Sequence, residues 1–382
     1  MDKELRIIIS GGGTGGHIFP AISIANAIKM KHPDAKILFV GAKGRMEMQR
    51  VPAAGYEIKG LPICGFDRKH LLKNIIVLFK IFRSQQLAKY IIHKFKPMVA
   101  IGVGGYASGP TLNEAGIMGI PTLIQEQNSY AGVTNKLLAK KACKICVAYE
   151  GMERFFDKNK IIITGNPVRQ NLLNSTICRE DGIAHFKLDS TKKTILVIGG
   201  SLGARTINEC IIQNIEKIKM QSDIQIIWQT GKYYFAKAKE SIKDEKDEKD
   251  EKDLPLYCTD FISSMEHAYA AADLVISRAG AGSISEFCLL GKSVILVPSP
   301  NVAEDHQTKN ALALVKKEAA IYVKDDEAIE KLIPVALEII RDKNRLSKLS
   351  KNIKQLAYPN SASIIAQEVY KLAKKYKEEN GI

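Results

Sequence analysis

Twice in this chain an apolar strand runs directly into a glycine turn and then into a helix. The first instance is Ile7-Ile8-Ile9-Ser10-Gly11-Gly12-Gly13-Thr14-Gly15-Gly16-His17, with a helix expected from near Ile18. The second is Thr194-Ile195-Leu196-Val197-Ile198-Gly199-Gly200-Ser201-Leu202-Gly203-Ala204. Around these openings, strand-like runs alternate with helical stretches, at residues 37–40, 99–103, 121–125, 145–148 and 161–164, and again at 224–229, 257–261, 274–277, 294–297 and 320–323. That alternation argues for doubly wound α/β architecture with parallel sheets, and two similar openings argue for two Rossmann-like domains. A break at Gly165-Asn166-Pro167 sets the boundaries at 1–166 and 167–360, and residues 361–382 read as a final helix able to pack back on the first domain.

Glycine turns that open helices suit phosphate groups. Without Cβ the backbone approaches an anion closely, and the helix start supplies N–H donors and partial positive charge. The first turn is not a P-loop, since no Lys-Ser or Lys-Thr pair follows it. The spacing of Gly11, Gly13 and Gly16 also fits a dinucleotide fingerprint, but the strand around 37–40 ends in Gly41 with no acid to hold a ribose, which demotes nicotinamide binding.

The 382 residues, 46% hydrophobic and 25% charged, suffice for two ordinary globular domains. Met1 to Arg6 lead straight into a strand, so no signal peptide is expected and the setting is cytoplasmic. Seven scattered cysteines fit reduced thiols, and the lone Cys143-x-x-Cys146 pair supports no zinc site. Net charge is +15, and its placement is uneven: residues 1–166 hold 24 Lys and Arg against 11 Asp and Glu, the rest 32 against 30. Within the first half, Lys59, Arg68, Lys69, Lys73, Lys80, Arg83, Lys89, Lys94 and Lys96 face the single acid Asp67, interleaved with Leu71, Leu72, Ile75, Ile76, Val77, Leu78, Phe79, Ile81 and Phe82. Lysines interrupt this run too often for a spanning helix; it reads either as a surface for anionic lipid or as a buried helix with solvated lysines. Aliphatic rather than aromatic interleaving, and no recognised motif, argue against nucleic acid. The Lys-Asp-Glu repeats at 243–253 read as a solvated loop or frayed helix end.

Five further clusters follow strands, where open α/β sheets place ligands. They are Gly102-Val103-Gly104-Gly105-Tyr106-Ala107-Ser108; Gln125-Glu126-Gln127-Asn128, an exposed polar loop or a binding run; Gly165 to Arg169, whose guanidinium fork suits a diphosphate or a surface ion pair; Gly199 to Arg205; and Ser277 to Glu286, followed by the residues around Pro298 and by Gln307-Thr308. In this order the clusters resemble the MurG family, glycosyltransferases of the cytoplasmic membrane face that add N-acetylglucosamine to undecaprenyl-diphosphate-linked N-acetylmuramoyl-pentapeptide, converting lipid I to lipid II.

The resemblance covers almost the whole chain. It implies a GT-B fold, two Rossmann-like domains facing across a cleft, with inversion at the anomeric carbon and neither metal nor cofactor required. It further implies that UDP-N-acetylglucosamine meets Ser201, Ile262, Ala281, Gly282, Ser283, Ile284, Ser285, Glu286 and Gln307, with the Ile262 backbone at uracil and Glu286 at the ribose. Arg169, Asn128 and Thr14-Gly15-Gly16 complete the donor site, while Gly13, Gly104, Gly105 and Tyr106 face the lipid acceptor. Two positions depart from the family pattern: Gln125 stands where the family often has histidine, and Thr308 where it often has a second glutamine. His17 is the expected general base for the acceptor C4 hydroxyl, since an imidazole titrates near neutrality; the competing role is to orient a loop or phosphate. A UDP-N-acetylglucosamine 2-epimerase shares the scaffold but leaves the basic aliphatic stretch unexplained, and a membrane-associated nucleotide-sugar-binding partner is the non-enzymatic alternative.

Overall fold

A computed structural model describes residues 4–65, 74–168, 170–200, 202–242 and 256–381. The chain forms two compact units, Met1–Gln170 with Tyr358–Ile382, and Asn171–Ala357.

The first unit holds seven parallel strands: β1 (Arg6–Ser10), β2 (Lys36–Ala42), β3 (Glu57–Leu61), β4 (Val99–Gly102), β5 (Thr122–Glu126), β6 (Lys144–Val147) and β7 (Ile161–Ile163). Their order is β3-β2-β1-β4-β5-β6-β7, so the winding reverses beside β1. Ile7, Ile8 and Ile9 have no solvent exposure because both sheet faces are covered, which is why β1 reads as a continuous apolar run. Alternation sends Ile7 and Ile9 to one face with the helix Gly15–Lys31, and Ile8 to the other with Ala88, Ile91, Ile92 and Leu112. The last helix, Ser361–Asn380, returns to this unit. Its Ala362, Ile365, Ala366, Val369 and Ala373 recur at helical spacing and bury against the face of Gly15–Lys31, while Tyr370 stacks on His32 at 4.5 Å between ring centroids.

The second unit repeats the plan with six parallel strands: β8 (Lys193–Ile198), β9 (Ile224–Gln229), β10 (Leu256–Thr259), β11 (Leu274–Ser277), β12 (Val294–Leu296) and β13 (Ile321–Tyr322), ordered β10-β9-β8-β11-β12-β13. Trp228, the only tryptophan, is fully buried in its core, and its indole N–H donates to Asn208 Oδ1 at 2.9 Å. In each unit the reversal of winding puts the glycine-turn strand between its two neighbours, β1 between β2 and β4, and β8 between β9 and β11. Crevices at the carboxyl ends of such strands are where open α/β sheets bind ligands.

Candidate active site

In the first unit the helix begins at Gly15 rather than near Ile18, because the Thr14 carbonyl already accepts from the N–H groups of His17 and Ile18 at 3.1 and 3.2 Å. Gly15, Gly16 and His17 are therefore its first turn. His17 Nδ1 lies 3.0 Å from the Gly12 carbonyl and 3.4 Å from Thr14 Oγ1. A carbonyl only accepts, so the Gly12 contact requires the proton on Nδ1, and in the neutral ring Nε2 then carries the basic lone pair. The second glycine loop closes on this turn. Gly104, at φ +89°, has its α-carbon so near the imidazole that a Cβ would stand 2.9 Å from Nε2. A Cβ on Gly105 would strike the Gly12 carbonyl. The structure thus brings Gly12, Gly13, His17, Gly104 and Gly105 together, and leaves Tyr106 beside them about half exposed.

One residue of this turn escaped the sequence reading. Glu47, in the helix Glu47–Ala53 and 1% exposed, accepts from the Ala42 N–H at 2.9 Å and from the Gly13 N–H at 2.8 Å. That bond commits the Gly13 N–H to the scaffold of the loop. Its only sequence signal is an acid in the first turn of the helix after β2.

The run Gln125 to Asn128, which begins inside β5, is not an exposed loop. Gln125, Glu126 and Gln127 are all buried, and their partners are structural: Gln125 Nε2 donates to Asn166 Oδ1 at 2.9 Å, Asn166 Nδ2 to the Gln127 carbonyl at 3.0 Å, and Gln127 Nε2 to the Val103 carbonyl at 2.8 Å. Glu126 accepts from the Asn128 backbone and side chain, from Gly132 N–H and from Asn135 Nδ2, which places Asn128 at the edge of a rigid network.

In the second unit the glycine turn after β8 leads to the helix Arg205–Gln213. Gln229, at the end of neighbouring β9, donates to the Gly200 carbonyl at 3.1 Å and accepts from the Ile262 N–H at 2.9 Å. The Ile262 N–H is therefore engaged within the unit. Ala281, Gly282, Ser283, Ile284, Ser285 and Glu286 are the first six residues of the helix Ala281–Leu290. They do not share one surface: the Ile284 side chain is core at 2% exposure, so Ile284 offers a ligand only its backbone. Ser285 Oγ donates back to the Ala281 carbonyl, and Glu286 Oε2 accepts from the Tyr269 hydroxyl at 2.7 Å. Gln307 accepts from the Ser299 N–H at 2.9 Å and so shapes the loop after β12. Arg169 and Ser201 lie outside the described residues, as do residues 66–73 of the basic stretch and the charged repeats. Among the described residues no cluster of His, Cys, Asp and Glu could hold a metal ion.

Two family models match the chain, the glycosyltransferase family 28 N-terminal domain over residues 7–147 and its C-terminal domain over residues 194–368. Over 382 residues, the whole of both chains, it is 68% identical to the UDP-N-acetylglucosamine--N-acetylmuramyl-(pentapeptide) pyrophosphoryl-undecaprenol N-acetylglucosamine transferase of Phocaeicola vulgatus. The crystal structure of Acinetobacter baumannii MurG superposes with a TM-score of 0.75 at 26% identity, covering 96% of this chain and 99% of the other. The chain belongs to the MurG family.

The UDP-N-acetylglucosamine 2-epimerase of Neisseria meningitidis, at 14% identity and a TM-score of 0.66 over 96% of this chain and all of the other, shares with this MurG-family chain the fold alone. The departure at Gln125 now has a structural content: in this MurG-family member the side chain is scaffold, hydrogen-bonded to Asn166 with no solvent exposure. Arg278, inside the Ser277 to Glu286 cluster, has a role that the sequence did not assign. Its guanidinium donates to the Val297 and Pro298 carbonyls at 3.0 and 3.1 Å and pairs with Asp325, tying the end of β11 to the loop that carries Ser299.

Proposed function

We propose that this chain transfers N-acetylglucosamine from UDP-N-acetylglucosamine to the C4 hydroxyl of undecaprenyl-diphosphate-linked N-acetylmuramoyl-pentapeptide, with inversion, turning lipid I into lipid II. The observation that carries the reading is the full-length 68% identity to a transferase of that name, together with a histidine whose Nδ1 faces a carbonyl. In the step, the acceptor oxygen bonds to C1 of the sugar, the bond from C1 to the diphosphate oxygen breaks with its electron pair leaving on UDP, and the hydroxyl proton passes to His17 Nε2. Glu286 takes the ribose hydroxyls and the Ile262 carbonyl faces uracil. Ala281, Gly282 and Ser283 present helix-start N–H groups to the diphosphate, and Gln307 lies toward the sugar. Asn128, Arg169, Ser201 and the Thr14-Gly15-Gly16 turn complete the donor contacts. Gly13, Gly104, Gly105 and Tyr106 meet the acceptor.

Membrane attachment belongs to the same reading. On the helix Asn74–Phe95, Ile76, Leu78, Phe79 and Phe82 are each more than half exposed, while Val77, Ala88, Ile91 and Ile92 on the other side are buried. Among the described residues no helix is long and apolar enough to cross a membrane, so this basic, aliphatic face is proposed to rest on anionic lipid as a peripheral contact at the cytoplasmic face.

Labelled UDP-N-acetylglucosamine and a lipid I analogue test the function directly: the expected product is the labelled disaccharide lipid, and epimer formation or binding without transfer overturns the proposal. His17→Ala is expected to lower kcat by about 100-fold, in the range for loss of a general base. Near-normal turnover in that variant removes His17 from the mechanism.

A further inference from the structure

We propose that Tyr269 is a positioning residue for nucleotide recognition, its phenol fixing the Glu286 carboxylate in the orientation that reads the two ribose hydroxyls. The inference rests on the reading of Glu286 as the ribose ligand. A ribose diol offers two O–H donors, and an ionised carboxylate is an acceptor with two oxygens, so the two match only when the carboxylate plane is correctly turned. The terminal torsion of glutamate has no sharp minima of its own, being broad and roughly two-fold, so its rotation is set by a partner.

Tyr269 is that partner. It lies on the helix Met265–Ala271 before β11, Glu286 on the helix after it, and the phenol reaches Oε2 at 2.7 Å. Tyr269 is 2% exposed and Glu286 9% exposed, so the bond is made away from bulk water, where it is strong and costly to lose. The ring is itself fixed: it meets Phe287, the residue next to Glu286, edge-on with centroids 5.9 Å apart at 85°. A carboxylate oxygen only accepts, so the single phenolic proton points at Glu286. Tyr269 acts on the nucleotide through that carboxylate rather than by direct contact. The quantity that depends on it is discrimination between ribose and 2′-deoxyribose, more than affinity for uracil or diphosphate.

The test uses the full chain, with UDP and 2′-deoxy-UDP as probes in calorimetric titrations. The wild type is expected to prefer UDP, Glu286→Ala to lose the preference, and Tyr269→Phe to cut it about fivefold, as one buried charge-assisted hydrogen bond warrants. Phe287→Leu, which frees the phenol without removing it, is expected to give a smaller cut and supplies a second variant should Tyr269→Phe unfold. If Glu286→Ala keeps the full preference, the ribose reading fails and the inference with it. If Glu286→Ala abolishes the preference while Tyr269→Phe and Phe287→Leu retain it, the ribose reading stands and the positioning role is overturned.

Discussion

Glu47 offers the sharpest test of how the first glycine turn is held. Its two carboxylate oxygens accept from two backbone N–H groups, Ala42 at 2.9 Å and Gly13 at 2.8 Å, at 1% exposure. Glutamine has the same shape but one acceptor oxygen, so in Glu47→Gln one N–H must face the amide NH2, donor against donor. A buried donor left unsatisfied costs about 1–3 kcal/mol, which sets the expected loss for Glu47→Gln near 2 kcal/mol. Glu47→Ala leaves both donors unmet, and about 3–5 kcal/mol is expected. Two-state behaviour is not licensed for a chain of two compact units, so probes must be kept apart. Trp228 lies in the second unit and reports it alone by fluorescence, whereas far-UV circular dichroism sees both. Glu47→Gln is expected to lower a guanidinium midpoint seen by circular dichroism by about 0.5 M, for a slope of about 4 kcal/mol/M, while the Trp228 transition stays in place. The change also reaches His17, because the Gly13 N–H that Glu47 holds and the Gly12 carbonyl that His17 meets belong to one peptide group; kcat/KM is expected to fall about tenfold. If circular dichroism midpoint and kcat/KM both stay at their wild-type values, the carboxylate is not bracing the turn.

Two other consequences are directly measurable. On the helix Asn74–Phe95, Phe79→Asp removes a side chain 67% exposed, and binding to anionic phosphatidylglycerol vesicles is expected to weaken about tenfold, with binding of the wild type falling as salt rises. Equal sedimentation with neutral and anionic vesicles counts against the proposed membrane face. The thiols give a pH-linked readout. Burial pushes Cys146, Cys210 and Cys288 up to about 12, so none should react with a maleimide at pH 8 while the chain is folded. Cys143 and Cys178 are exposed, but the Asp181 carboxylate 3.1 Å from the Cys178 sulfur raises that thiol too. A raised pKa leaves less thiolate at pH 8, so Asp181→Asn is expected to accelerate labelling at Cys178, and an unchanged rate refutes the assignment.

The strands that sequence reveals best are those buried on both faces. β1 and β8 are uninterrupted apolar runs ending in glycine, and both were legible with the helices after them. β3 was not. It reads Glu-Ile-Lys-Gly-Leu, pairs only with β2 at the sheet edge, and keeps Glu57 and Lys59 in solvent, so its apolar signal is halved. The polar residues of the site are less legible for a related reason. Gln125 and Gln127 look like loop residues until Asn166 and Val103 are seen beside them, and Glu47 and Tyr269 have partners 34 and 17 residues away. A hydrogen bond between distant residues leaves no periodicity to detect.

Strand order supplies what spacing could not. With β1 between β2 and β4, the first glycine turn must be bordered by whatever follows β2 and β4, and those are Glu47 and the Gly104-Gly105 loop. With β8 between β9 and β11, the second turn must be bordered by the end of β9 and the helix after β11, and those are Gln229 and the helix Ala281–Leu290. Each unit thus places a side chain against its turn, Glu47 from the helix after β2 in the first and Gln229 from the end of β9 in the second, and the two differ in charge. A fixed carboxylate at the Gly13 N–H repels a phosphate there, by about 4 kcal/mol for unit charges about 4 Å apart at an effective dielectric of about 20. A neutral amide at the Gly200 carbonyl carries no such penalty. The same motif, repeated in sequence, is therefore electrostatically distinct in its two copies: a buried carboxylate braces the first, and a neutral amide braces the second.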